Sequence, residues 1–145
     1  MYNKNIIGQK HVDSGVTLDV ALKKVDEFLN SNDLLSGKFS FIFVTDGPWD
    51  FKDFLIPECR NKNIEIKEYY NDWVNIRKLF GKFYKTKPVG IKKMVVKLNL
   101  EFVGIAHQGI DDSRNIANVG IQMIKDGCIL NRNASMDEFK KIIVS

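Results

Sequence analysis

The stretch from Phe39 to Val44, FSFIFV, constrains the fold more than any other part of this chain. Five of its six residues are aromatic or β-branched and apolar. A run without polar alternation needs cover on both faces, which is the pattern of a buried parallel strand. Thr45-Asp46-Gly47-Pro48 closes it with a turn signature. Parallel strands are joined through helices, and helical patterns flank this run on both sides. Upstream, Thr17 suits an N-cap, and Leu18, Ala21, Leu22, Val25 and Leu29 keep helical spacing. A helix is therefore expected from Leu18 to Asn30. Downstream, Trp49-Asp50 opens a helix with Phe51, Phe54 and Leu55 on its apolar side. Pro57 must end or restart that helix, because proline has no N–H to donate.

The rest of the chain continues this alternation. Ile6 to Asp13 reads as an irregular lead-in, and Ser31 to Lys38 as a polar loop. Trp73 to Arg77, WVNIR, alternates and is expected as a second strand. Ile91, Met94, Val95 and Leu98 mark a further helix. Ser135 with Glu138 forms a capping-box pattern, and Phe139, Ile142 and Ile143 suggest a short final helix. The order is helix, strand, helix, strand, helix, helix, helix: an α/β domain with little sheet.

Composition removes several function classes. With 145 residues, 44% hydrophobic and 28% charged, the chain has the make-up of one globular domain. No apolar run is long enough to cross a bilayer, and the residues after Met1 do not resemble a signal peptide. Cys59 and Cys128 have no metal-type spacing and suggest no disulfide framework, so an intracellular, reducing location, cytoplasmic or nuclear, is expected. Asn133-Ala-Ser135 matches a glycosylation acceptor but means little without a secretory signal.

The net charge is +4, and its distribution is more informative. From Arg77 to Leu100 the chain carries Arg77, Lys78, Lys82, Lys85, Lys87, Lys92, Lys93 and Lys97 with no acidic residue. Phe80, Phe83 and Tyr84 lie among them. Basic side chains can neutralise phosphates and rings can stack on bases. A solvated basic helix face over core aromatics explains the same pattern about equally well.

His107 to Ile124, HQGIDDSRNIANVGIQMI, is a short polar loop running into an amphipathic helix. Ile116, Val119, Gly120, Met123 and Ile124 mark its buried face, and Gly127 supplies a stop. Asp112 sits where the helix should begin. Partial positive charge there favours an ionised carboxylate, and a histidine just upstream suits metal-assisted proton transfer. The ordinary alternative, that Asp111 or Asp112 is an N-cap and His107 a loop residue, is the commoner case.

Taken together, VTDGPWDFKDFL, WVNIRKLFGKFY and HQGIDDSRNIA resemble the Eri-type 3′–5′ exoribonucleases, a branch of the DEDDh exonucleases. IIGQKHVDSGVTLDVALKKVDEFL resembles the segment preceding the middle strand of that family. The likeness runs to about Asn131 and keeps the order of the motifs. It implies an RNase H-like fold, with two divalent metals (Mg²⁺ or Mn²⁺) on four carboxylates and a histidine as general base. By motif position, Asp50 matches the third carboxylate, Asp112 the fourth and His107 the base. Asp46 and Asp111 do not match and are expected to serve turn and cap. Gly109 and Asn115 belong to the same motif and are expected to shape the loop and helix start.

Two departures stand out. The family's first two carboxylates lie on an Asp-Phe-Glu strand, and this chain begins after that point. Ile105 replaces a basic residue often found before the histidine motif. The resemblance thus implies a partial RNase H-like fold in which two strands are flanked by helices and the first hairpin is missing. Residues 1–131 would form the truncated exonuclease domain and 132–145 a short helix or tail. The implied function is two-metal hydrolysis of RNA 3′ ends, inactive or weak unless the first motif is supplied. The alternatives are a non-catalytic RNA-binding pseudo-exonuclease and a gene fragment. RNA, as single-stranded 3′ ends or stem-loops, is the implied partner. Arg77, Lys82, Lys85, Lys87, Lys92 and Lys93 are the candidate contacts, and no membrane partner is expected. An unpartnered edge of FSFIFV would leave the sheet open to self-association or to a partner chain.

Overall fold

The structure is a computed structural model that describes residues 8–137. The expected final helix at Phe139, Ile142 and Ile143 lies outside them. The chain divides into two compact units, Met1–Phe41 and Ile42–Ser145.

In the first unit, α1 (Gln9–Asp13) occupies part of the segment expected to be irregular. It is a single turn closed by a 2.7 Å hydrogen bond from the Gln9 amide to Asp13, four residues on, and it buries nothing. That local pair explains why no apolar periodicity announced it. α2 (Leu18–Ser31) begins after Thr17 as expected, and it buries Leu29.

The second unit carries a three-stranded sheet in the order β1-β2-β3. β1 (Phe43–Thr45) pairs in parallel with β2 (Asp72–Asn75), setting Phe43 opposite Trp73, Val44 opposite Val74 and Thr45 opposite Asn75. The parallel pairing follows the reading of FSFIFV, but the strand is shorter than the apolar run. Phe39 is 54% exposed, and only the last two residues of the run join the ladder. A strand extends only as far as its partner, and among the described residues β1 has a neighbour on one side only.

The crossover from β1 to β2 contains a π-helical turn, Asp50–Leu55, that runs directly into α3 (Ile56–Asn61). The Ile56 N–H donates to the Phe51 carbonyl, five residues back, and Pro57 stands in the first turn of α3. Proline cannot donate into the turn before it, and it stands where the wider π turn gives way to α geometry. Phe51 packs edge-on against Trp73 at 5.3 Å, and Tyr70 stacks on Phe43 at 5.2 Å, so aromatic rings seal this side of the sheet.

β2 ends two residues before the expected limit. Asn75 caps α4 (Ile76–Phe83) by accepting from the Lys78 N–H at 3.3 Å, so Ile76 and Arg77 are helical. The Asn75 backbone also exchanges two bonds with the Asn133 amide, at 2.7 and 3.0 Å. That brings β3 (Ala134–Ser135) antiparallel to β2, where a helix or tail was expected.

α5 (Ile91–Lys97) and α6 (Gly109–Lys125) build the core with α4. Ile76, Phe80, Ile91, Met94, Val95, Val119, Met123 and Cys128 form one buried cluster. Truncating Phe80 to Ala would cost about 3–5 kcal/mol. Ile124, expected in the buried face of α6, is 55% exposed. The buried stripe follows Asp111, Asn115, Val119 and Met123 at four-residue steps, and Ile124 falls off its edge. Among the described residues, no helix is long and apolar enough to cross a membrane.

Candidate functional site

β1 and β2 run parallel and end level, so the residues leaving their carboxyl ends emerge side by side. In open α/β sheets that end is where ligands bind. Here it opens into a cleft of about 870 Å³. Asp46, Trp49 and Asp50 reach it from the end of β1, and Arg77 from the start of α4. Lys92 and Lys93 line it from α5, and His107 and Asp112 from the start of α6.

The end of β1 is tightly built. Thr45 Oγ1 donates to the Gly47 carbonyl at 2.5 Å. Gly47 has φ +121°, and a Cβ there would overlap the Trp49 ring, so only glycine fits. The Arg77 guanidinium lies 4.7 Å over that ring. It also grips Asp46 with two parallel bonds of 2.7 Å, from Nε to Oδ1 and from the Nη2 end to Oδ2. Asp46 is thus more than the turn residue expected from its tetrapeptide. Its hydrogen bond raises the Arg77 pKa. Asp50, two residues past Pro48, has its pKa raised chiefly by loss of surrounding water and next by the Asp46 charge, with Arg77 pulling the other way. A cation placed near Asp50 would relieve this repulsion.

On the opposite side, α6 starts earlier than expected. Gln108 holds the cap position without a side-chain cap bond, and Asp111 and Asp112 fall in the first turn. Neither is the N-cap. Asp112 Oδ1 accepts the backbone N–H of His107 at 3.3 Å, tying the two motif residues together. Asp111 is buried, accepts the Ile105 N–H at 2.9 Å and pairs with Arg114 at 3.1 Å. Asn115, fully buried, accepts the Val103 N–H at 3.0 Å and donates to the carbonyls of Val103 and Asp111, both at 2.8 Å.

The residues singled out by motif order are therefore gathered, and the basic ones are divided. Asp50, His107, Asp112, Arg77, Lys92 and Lys93 face one cleft. Lys82, Lys85 and Lys87 are exposed on α4 and the loop after it and are not among the lining residues, although Lys87 adjoins Pro88, which is. The Asp46–Arg77 pair was missed. From the sequence Arg77 is expected as the last residue of the second strand, and only the parallel pairing of β1 with β2 shows that it meets Asp46.

The exonuclease family model (RNase T) matches residues 4–119. Mouse 3′–5′ exoribonuclease 1 is 38% identical over 129 residues, which make up 88% of this chain and 37% of the mouse protein. The human protein of the same name is 36% identical over 96% of this chain and 40% of its own length. The chain thus spans about two-fifths of these curated relatives. Among solved structures, the nuclease domain of 3′hExo, a DEDDh family member bound to rAMP, superposes with a TM-score of 0.84 at 36% identity. That match covers 90% of this chain and 66% of the other. Cell-death related nuclease 4 superposes with a TM-score of 0.76 at 28% identity, over 88% of this chain and 45% of the other. The architecture is that of a DEDDh, RNase H-like exonuclease domain, and the chain belongs to the RNase T exonuclease family.

Proposed function

We propose that this chain is a 3′–5′ exoribonuclease-like domain. Asp50, Asp112 and His107 are its share of a hydrolytic site acting on RNA 3′ ends. The observation that carries this reading is their convergence on one cleft from separate elements. His107 is exposed at the cleft, with its backbone fixed by Asp112, and is the candidate general base. It takes the proton of the attacking water as that oxygen bonds to phosphorus and the P–O3′ bond breaks; the leaving 3′ oxygen stays on the shortened RNA and takes a proton from solvent water. The product is a nucleoside monophosphate. Free buried cysteines, Cys59 and Cys128, fit a cytoplasmic or nuclear setting.

The DEDDh family uses divalent metal, and the donors present fit part of such a site. Asp50 and Asp112 are hard oxygen donors suited to Mg²⁺ or Mn²⁺. No group of three His, Cys, Asp or Glu side chains able to hold an ion occurs among the described residues. When bound, a divalent ion supplies charge stabilisation at the phosphate. Two carboxylates alone hold it weakly. A second reading, an RNA-binding domain that does not turn over, rests on Lys92 and Lys93, which line the same cleft.

RNA as ligand is supported by the likeness to 3′-exonuclease in a structure described as 3′-end specific recognition of histone mRNA stem-loop, at 35% identity and a TM-score of 0.85. Lys92 and Lys93 are the cleft-lining cations best placed for phosphate, since Arg77 is already paired with Asp46.

Incubating 3′-labelled single-stranded RNA with the chain and millimolar Mn²⁺ tests the proposal. Slow shortening from the 3′ end is expected, falling about 10²–10⁴-fold in His107→Ala with RNA affinity kept. Binding without shortening at any Mn²⁺ concentration would select the second reading. Neither binding nor shortening would refute both.

A further inference from the structure

We infer that Asp111 and Asn115 are positioning residues that hold His107 at the cleft. This rests on the reading of His107 as the base. Between Val103 and His107 the backbone lies along the first turns of α6, and alternate N–H groups are captured by side chains from that helix. Val103 donates to Asn115, Ile105 to Asp111 and His107 to Asp112. Asn115 closes the arrangement by donating to the Val103 and Asp111 carbonyls, which joins the loop to the helix backbone. Asp111 and Asn115 are 7% and 0% exposed, so this latch is part of the interior, whereas Val103 and Ile105 are exposed on the loop it holds.

The backbone of the loop is shaped to fit. Gly104 has φ +76°, and a Cβ there would overlap the Asp111 carboxylate. His107 itself has φ +69°, a left-handed conformation uncommon outside glycine. The N–H groups of Ile105 and of His107, which lead into that conformation, are both held by side chains of α6. Asp111 thus acts through the backbone two residues before His107 and one before Ala106, and it does not line the cleft.

The chain has only two histidines, so nuclear magnetic resonance of the ring Cε1–H protons resolves His107 with His11 as internal control. Asp111→Ala and Asn115→Ala should each broaden or split the His107 line and speed hydrogen exchange at the Ile105 or Val103 amide by about ten-fold or more, while His11 stays unchanged. Asp111→Asn keeps an oxygen acceptor for the Ile105 N–H and should restore a single His107 line. Arg114→Ala removes only the ion pair at the surface and should leave the line as in the parent. If the alanine variants do not fold, Gly104→Ala is the second arm. Its methyl lands on the Asp111 carboxylate and should displace His107 in a chain that is otherwise folded. An unchanged His107 line in any folded Asp111→Ala, Asn115→Ala or Gly104→Ala variant overturns the inference, as does an Asp111→Asn spectrum that matches Asp111→Ala. None of these readouts requires turnover, so a chain without nuclease activity would refute the functional reading and leave the latch to be judged separately.

Discussion

Replacing Asp46 with Asn and Arg77 with Met, singly and together, measures how much the strand-end pair contributes. The two bonds are 2.7 Å each and the side chains are 20% and 31% exposed, so the pair is neither fully buried nor a surface contact. Unit charges about 4 Å apart at an effective dielectric constant near 20 attract by about 4 kcal/mol. Desolvation and side-chain ordering offset half or more of this, leaving a coupling energy of about 1–2 kcal/mol. That exceeds the about 0.2–1 kcal/mol typical of exposed pairs because the fork is bidentate. For a chain of this size each kcal/mol shifts the melting temperature by about 3–6 °C. Both tryptophans, Trp49 and Trp73, lie in the second unit, so fluorescence-detected urea unfolding reports on the part of the chain that carries the pair. Arg77→Lys should lose more than half of the coupling, since an ammonium cannot form the fork, and about 0.5–1 kcal/mol from the Trp49 face besides. A coupling energy below about 0.4 kcal/mol, the usual additivity error, would refute the argument, as would an Arg77→Lys variant equal to the parent.

Two further outcomes follow from the cleft. The Asp50 pKa is raised, so the folded state holds its proton more tightly than the unfolded state; the stability this gives is present at low pH and is lost as pH rises through the folded value. Asp50→Asn should therefore melt about 1–3 °C above the parent at pH 7 in metal-free buffer and level with it below about pH 3.5, and a lower melting temperature at pH 7 would contradict this. Reversing Lys92 and Lys93 to Glu should weaken single-stranded RNA binding by more than about ten-fold at low salt and flatten its salt dependence. Reversing Lys82, Lys85 and Lys87 should weaken it less; fluorescence anisotropy showing equal losses would mean that RNA follows the net charge and not the cleft.

What could be read from the sequence was whatever repeats or is bounded by a strong local signal. Thr17 and the apolar spacing after it locate α2, and the unbroken apolar run locates a parallel strand. Motif order brings Asp50, His107 and Asp112 to the same cleft. What could not be read depends on distant partners. Asn75 ends a strand and caps a helix because Asn133 takes over its backbone bonds, and no local pattern around WVNIR shows that. Ala134–Ser135 is too short for any period to appear. Asn115 is a polar residue in an apolar stripe, and only the fold shows that its amide is satisfied on three sides. The length of FSFIFV was misread for the opposite reason: composition reports what a segment would accept, whereas a ladder extends only where another strand is present.

The π-helical turn before α3 gives the crossover an uneven tolerance to changes in length. Closing a turn over five residues instead of four stores one more residue between Asp50 and Ile56 than an α-helix needs. A one-residue deletion within residues 52–55 can tighten that turn to ordinary α geometry, leaving Asp50 and α3 on their present bearings. A one-residue insertion has no slack to take up. It turns Asp50 by about 100° around the helix axis relative to Pro57, away from the cleft, whereas the same insertion at the exposed turn Lys62-Asn63, after α3, leaves that bearing unchanged.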